Sequence, residues 1–253
     1  MFLESRYIIV AMILASWMGV RRDGVAQQEP GPDWSRRTEQ ALAEGKNDEA
    51  IQIVDQVVAM APQQPRVYVV RGMVYFRLGR IQESLADFDK SIELEPSSKP
   101  ECWQRGISLY YLGRYDEGRE QFEVHRTVNS SDVENPFWHF MCVSKIDGVD
   151  AARTKLLPCG PDSRSPLMQV LEMLRGKMEP EQVIAAANAA HGGPEGKSLA
   201  RFYGNLYVGL YYDCLGKLDL AKEHLEKCIA EKNGGYMRNV AQIHLAHLAS
   251  VKR

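Results

Sequence analysis

A spacing of 34 residues constrains this chain more than any other feature it carries. Between Pro65 and Pro96 the order Tyr68, Gly72, Tyr75, Gly79, Ser84, Phe88, Ser91, Pro96 sets two helical patterns on either side of a turn at Gly79. Shifted forward by 34 residues, Arg71-Gly72 becomes Arg105-Gly106, Leu78-Gly79-Arg80 becomes Leu112-Gly113-Arg114 and Phe88 becomes Phe122. Shifted backward, Tyr68 becomes Trp34, Gly79 becomes Gly45, Ser84 becomes Ala50 and Pro96 becomes Pro62. A small residue at Gly72 or Gly106 lets a second helix approach, and Ala50, Ser84 or Gly118 on that helix receives it. Tyr75 and Phe88 then fill the space beside the contact. Gly45, Gly79 and Gly113 suit a helix C-terminus, where a left-handed residue costs glycine little. Pro62 and Pro96 end the second helix, because proline lacks the N–H and clashes with the preceding turn. One such hairpin cannot bury its apolar faces, so stacked neighbours must supply the core.

A period of about 34 residues with Trp/Tyr, Gly, Tyr, Gly, Ala, Phe and Pro in that order resembles the tetratricopeptide repeat family. The resemblance implies an all-α chain, an α-α superhelix of about six helix hairpins with a C-terminal capping helix, and a protein-binding role. Along the chain it predicts three repeats over 34–132, degenerate helical repeats over 133–198, and a further repeat with its capping helix over 199–253. In the first repeat Asn47-Asp48 is placed to cap the second helix. In the degenerate part Pro136 to Leu157 keeps two helices with a turn at Asp147-Gly148 and Ala152 in the small-residue position. Leu167 to Met178 and Glu181 to Ala190 form the next pair, and His191 to Gly196 reads as a loop. The pattern then returns, with Gly209, Tyr212, Gly216, Ala221 and Leu225 at the mutual offsets of Gly72, Tyr75, Gly79, Ser84 and Phe88. Asn233-Gly234-Gly235 closes that hairpin, and Tyr236 to Ser250 makes a final helix with Val240, Ile243, Leu245 and Leu248 on its apolar face.

Ahead of the repeats, Arg6 precedes an apolar run from Tyr7 to Val20, and Gly24-Val25-Ala26 offers a small-x-small site. Residues 1–26 therefore read as a secretory signal peptide, followed by a linker over 27–33. The alternative is an uncleaved membrane anchor. A 14-residue helix reaches only about 21 Å, short of the roughly 30 Å hydrocarbon core, which favours cleavage. Export, together with Gly204 to Ile229 and its Tyr211-Tyr212 and Gly216-Lys217-Leu218-Asp219, is similar to NlpI-like bacterial envelope repeat proteins. That resemblance implies a periplasmic or envelope location and the scaffolding of envelope enzymes. No cysteine precedes Cys102, so the lipid attachment of those lipoproteins is not supported.

A formal net charge of -2 and a pI near 6.3 provide none of the cationic surface that phosphate neutralisation demands, so nucleic acid is not an expected partner. The five cysteines include no CxxC pair. Cys214 and Cys228 lie on the two helices of one hairpin, where a disulfide and a pair of buried thiols are both open readings. His244 and His247 share a helix face but lack a carboxylate at matching spacing, which makes an incomplete metal site and leaves a metal-dependent hydrolase as the lesser alternative. His139 beside Trp138 reads as a packed histidine. With no GxSxG, HExxH, Walker-type loop or GxGxxG, the sequence proposes neither an enzyme nor a cofactor.

At about 100° per residue, positions 2, 5, 9, 12 and 13 of each repeat's first helix, counted from Pro65 as position 1, share one sector directed to the inside of the superhelix. In successive repeats that sector holds Arg66, Val69, Met73, Phe76 and Arg77, then Pro100, Trp103, Ile107, Tyr110 and Tyr111, then Glu134, Phe137, Met141, Ser144 and Lys145. The expected site is a protein or peptide groove formed by Arg66, Met73, Phe76, Arg77, Trp103, Ile107, Tyr110, Tyr111, Phe137, Met141 and Lys145. Its aromatics would anchor the ligand, and Arg66, Arg77 and Lys145 would meet carboxylates. The competing expectations are that some of these side chains pack between neighbouring repeats or under the later helices, or that the chain is a structural subunit whose groove is filled by its own N-terminal residues or by another copy.

Overall fold

Glycine in the left-handed region sets the hairpin turns. Gly45, Gly79, Gly113 and Gly216 have φ of 72°, 75°, 73° and 69°. At each turn the amide three residues past the last helical residue reaches back to a carbonyl five residues earlier: Lys46 to Ala41 at 2.8 Å, Arg80 to Tyr75 at 2.9 Å, Arg114 to Leu109 at 3.0 Å and Lys217 to Tyr212 at 2.9 Å. This is the Schellman closure, with glycine at the position where a Cβ would be strained. Because the residue that closes one helix also opens the next, the N-cap is Lys46, Arg80, Arg114 or Lys217, with no side-chain cap. The expected capping role of Asn47-Asp48 is thereby corrected: Asn47 is already the first helical residue.

The computed structural model describes residues 33–250. The expected signal segment and nearly all of the linker lie outside the described residues. Thirteen α-helices follow in order: α1 (Asp33–Ala43), α2 (Asn47–Met60), α3 (Pro65–Arg77), α4 (Ile81–Leu94), then a 3-10 turn (Pro96–Glu101), α5 (Trp103–Tyr111), α6 (Tyr115–His125), α7 (Glu134–Asp147), α8 (Val149–Thr154), α9 (Leu167–Leu174), α10 (Pro180–Asn188), α11 (Pro194–Cys214), α12 (Leu218–Ala230) and α13 (Gly235–Ser250). They form six hairpins and a final helix in an all-α superhelix. The expected loop at His191 to Gly196 is shorter than its glycines suggested. Pro194 occupies the first turn of α11, where its missing N–H costs nothing.

The small-residue contacts close the hairpins. A Cβ on Gly72 would lie 2.9 Å from the Phe88 ring, and one on Gly106 2.6 Å from the Phe122 ring. Both phenylalanines are fully buried. A charged ladder ties the hairpins together with the same period. Arg71 holds Asp87 through two nitrogens at 2.8 Å and Asp55 at 2.9 Å, and Arg105 holds Asp89 at 2.6 Å and Gln121 at 3.3 Å. Each arginine thus reaches 16 residues back and 16 forward, and Asp55 with Asp89, like Asp87 with Gln121, stand 34 apart.

The main core runs from Phe76 to Leu248 through the later hairpins, and a smaller one around Val57, Val67 and Tyr68 serves the first two. The long connection over 155–166 is fastened by Arg164, which reaches Asp132 at 2.5 Å, Asp162 at 2.6 Å and Glu134 at 3.5 Å. Three carboxylates share one guanidinium. Burial, and then Asp132, push the Glu134 carboxyl up to about 7.

Candidate functional site

The inner face of the superhelix holds the expected groove residues, but the chain itself fills it. Helix α13 lies along α5 and the end of α3. The Tyr236 ring stacks on Phe76 with centroids 5.0 Å apart and meets Trp103 edge-on at 5.2 Å. Two turns further on, the Tyr111 hydroxyl faces His244 Nδ1 at 3.1 Å, and the His247 ring stands 6.0 Å from Tyr111. Phe76, Ile107, Phe137 and Met141 have no exposed surface, and Tyr110 has 3%. An open aromatic trough across these repeats is therefore not what the structure contains.

The eleven expected residues separate into four groups. Phe76, Trp103, Tyr110 and Tyr111 are brought together by α13 and by each other, with Tyr110 also against Trp138 at 5.6 Å; Ile107 belongs to the same buried core. Phe137 and Met141 on α7 turn to α11 instead, where Phe137 meets Tyr207 at 4.6 Å and Met141 receives the Cys214 thiol at 3.1 Å. Arg77 pairs with Glu39 at 2.9 Å, while Arg66 and Met73 are half-buried on the outer part of the face. Lys145 is committed to Asp213 at 2.9 Å.

That last pair is the polar centre under α13. Asp213, only 7% exposed, also has the Tyr110 hydroxyl at 3.5 Å and His244 Nε2 at 3.6 Å. Burial works against the Lys145 charge, but Asp213 outweighs it and the lysine pKa ends raised. His244 is fully buried, and burial drives its pKa down to about 4 against the pull of Asp213, so the ring is neutral at ordinary pH. The five cysteines are free thiols in this structure, Cys214 and Cys228 included. His139 is 2% exposed, with Nε2 at 3.4 Å from Glu123, as a packed histidine should be.

Sector arithmetic finds which residues point inward but not what runs through the interior. The missed signal lies in α13. A helix that only capped the stack would carry one apolar stripe and a polar back. Here Met237, Val240, Ala241, His244 and Leu248 are buried on one side, and Tyr236, Ile243 and Leu245 are partly buried beside them. Two contact surfaces on one helix mean that it is wedged between two walls. Sequence reading also passed over a polar cavity of about 460 Å3 between α8, α9, α10 and α11, to which Arg153, Arg175, Tyr211 and Lys217 contribute.

Residues 39–101 match the tetratricopeptide repeat family. A stretch of 108 residues, 43% of this chain, is 27% identical to the protein SGT1 homolog of Bos taurus and covers 32% of that relative's length. Among solved structures, a MamA fragment from Desulfovibrio magneticus RS-1 aligns over 82% of this chain and 97% of its own, at 14% identity and a TM-score of 0.49. A tetratricopeptide repeat protein from Parabacteroides merdae aligns over 86% and 83%, at 14% identity and a TM-score of 0.48.

Proposed function

Starting from the premise that this chain is a tetratricopeptide repeat protein, we propose that it is a protein-interaction scaffold. In this reading its inner wall is held by its own helix α13 and accepts a partner helix in exchange for it. The observation that carries the reading is the aromatic register of α13 on the wall, with Tyr236 between Phe76 and Trp103 and His244 on Tyr111. A helix laid in a groove by regularly spaced anchors is one of the recurring modes of peptide recognition. The occupant here belongs to the same chain, so a competitor must present an aromatic residue, then a β-branched one a turn later, then a hydrogen-bonding side chain after one more turn.

A labelled peptide spanning residues 235–250 tests this, offered in trans to the full chain and to its Tyr236→Ala variant. Loosening the resident helix is expected to raise peptide affinity at least about tenfold, equivalent to some 1.4 kcal/mol. Equal affinity for both proteins overturns the exchange. Absence of binding to either favours the second reading, a structural subunit with a permanently self-filled groove, which the full burial of Phe76, Ile107, Phe137 and Met141 supports.

The proposal extends to an exported protein of the periplasm or cell envelope that organises envelope enzymes and has no catalytic role of its own. The apolar run Tyr7 to Val20 and the small residues at Gly24 and Ala26 support export. The N-terminal residue of the native protein decides it: a start near Gln27 fits a cleaved signal, and an intact Met1 fits the anchor.

A further inference from the structure

The cavity of about 460 Å3 lies where α8, the turn after α9, the start of α10 and the end of α11 meet, and its lining shares no residue with the α13 wall. Its two acids are spent inside the protein. Glu181 accepts the Tyr212 hydroxyl at 2.9 Å, and its own backbone amide and that hydroxyl hold its pKa low. Glu179 accepts a backbone amide of the first turn of α10 in a capping box.

The cavity's donors are not all spent. Arg153 gives one nitrogen to Asp150 at 3.0 Å, a carboxylate whose side chain is 99% exposed, and another to the Tyr211 hydroxyl at 2.7 Å. Its Nε–H is buried without an acceptor. Tyr211 accepts that bond, and its own hydroxyl proton has no protein partner among the described residues. Beside them Gly176 has φ +70 and packs close to the guanidinium: a Cβ there would stand 3.4 Å from Arg153 Nε.

Lys217 supplies an independent observation. It is the fourth of the cations that open a second helix directly after a turn glycine. In two of the other strong repeats an acid three residues on pairs with it, Arg80 with Glu83 at 2.8 Å and Arg114 with Glu117 at 2.5 Å, while Lys46, which has Glu49 at the same offset, pairs with Glu44 at 2.7 Å. After Lys217 that position is Leu220. Lys217 has no ion pair among the described residues and rests 5.6 Å over the Tyr212 ring. At this turn the acid three residues on is absent, and Lys217 instead acts through space on Glu181, whose pKa it helps to lower.

We propose that this cavity binds a compact oxyanion, a phosphate or a carboxylate group, with Arg153, Tyr211 and Lys217 as donors and Arg175 at the rim. A guanidinium fork and an ammonium together match the oxygens of such a group, and charge-assisted bonds are the strong ones. The site goes beyond the scaffold reading and does not depend on α13.

The test titrates the full chain with inorganic phosphate and separately with acetate, at ionic strength held constant with chloride, following backbone amide and arginine Nε resonances. The expected result is saturable movement of the Gly176 and Tyr211 amides and of Arg153 Nε. In a Lys217→Gln/Arg175→Gln variant, changed only at two exposed side chains, the midpoint is expected to rise by about tenfold. Saturation by phosphate alone assigns a phosphoryl ligand, and saturation by acetate alone a carboxylate. Shifts that grow without saturating in both titrations, or a midpoint that the variant leaves unchanged, mark an adventitious ion only and overturn the site.

Discussion

Replacing Tyr236 tests the seating of α13 most directly, because two substitutions there are expected to act in opposite directions. The ring has two aromatic neighbours, Phe76 at 5.0 Å and Trp103 at 5.2 Å, and its hydroxyl is buried with no hydrogen-bond partner. Each aromatic pair is worth about 0.5–1.5 kcal/mol beyond burial. Losing both, plus the apolar area of a part-exposed ring, makes Tyr236→Ala cost about 2–4 kcal/mol. Tyr236→Phe keeps both pairs and removes a hydroxyl whose desolvation is uncompensated, so it is expected to be neutral or stabilising by up to about 1 kcal/mol. Native-state hydrogen exchange separates local from global effects. In the alanine variant the amides of Gly235–Ser250 should exchange about 30 to 1,000 times faster, while those of Ile81–Leu94 keep their protection. A phenylalanine variant less stable by more than about 1 kcal/mol would show that the hydroxyl has a partner and that the register is wrong. Unchanged exchange of the α13 amides in the alanine variant would show that the aromatic contacts do not hold the helix.

Three further outcomes are expected. Gly106→Ala should destabilise by about 1–3 kcal/mol in urea denaturation despite alanine's better helix propensity, because its Cβ would meet the Phe122 ring at 2.6 Å in a closed core. Glu134→Gln should change the pH dependence of stability. The folded state binds this proton more tightly than the unfolded chain, so the wild type should lose stability as pH rises from about 4.5 through 7, and the variant should lack that slope in melts at successive pH values. Arg71→Ala should cost about 3–5 kcal/mol, because it leaves Asp87, whose side chain is 7% exposed, without its cation, and Asp87→Asn in the same background should recover part of that loss.

The repeat was legible because its landmarks are local. A left-handed glycine, a small residue facing an aromatic and a terminating proline each act within one hairpin, so Gly79, Gly106 and Pro96 announce themselves without neighbours. The fate of the inner face was not legible, since it depends on where α13, more than 100 residues beyond α5, comes to rest. Phe76 and Tyr110 have the same spacing whether a partner or the chain itself covers them. Arg71 and Arg105 recurred visibly, but their partners sit on different helices 16 residues away, a distance that no helical periodicity marks. The polar cavity was hidden for the opposite reason: Arg153 and Arg175 lie in the degenerate hairpins, where no repeat position gives them meaning, and only the substitution of Leu220 for the usual acid could have pointed there.

A stack of hairpins open at both ends behaves as a spring whose coils know only their immediate neighbours, and in such molecules melting starts at a loose end and spreads. Helix α13 is joined by its peptide chain to the last hairpin yet rests on the second and third, so it works as a strap across the coil. The strap couples units far apart in sequence, which turns a quasi-one-dimensional stack into a closed body that should melt in one step. Slackening it should split that step in two, with the later hairpins and the earlier ones parting company at different temperatures.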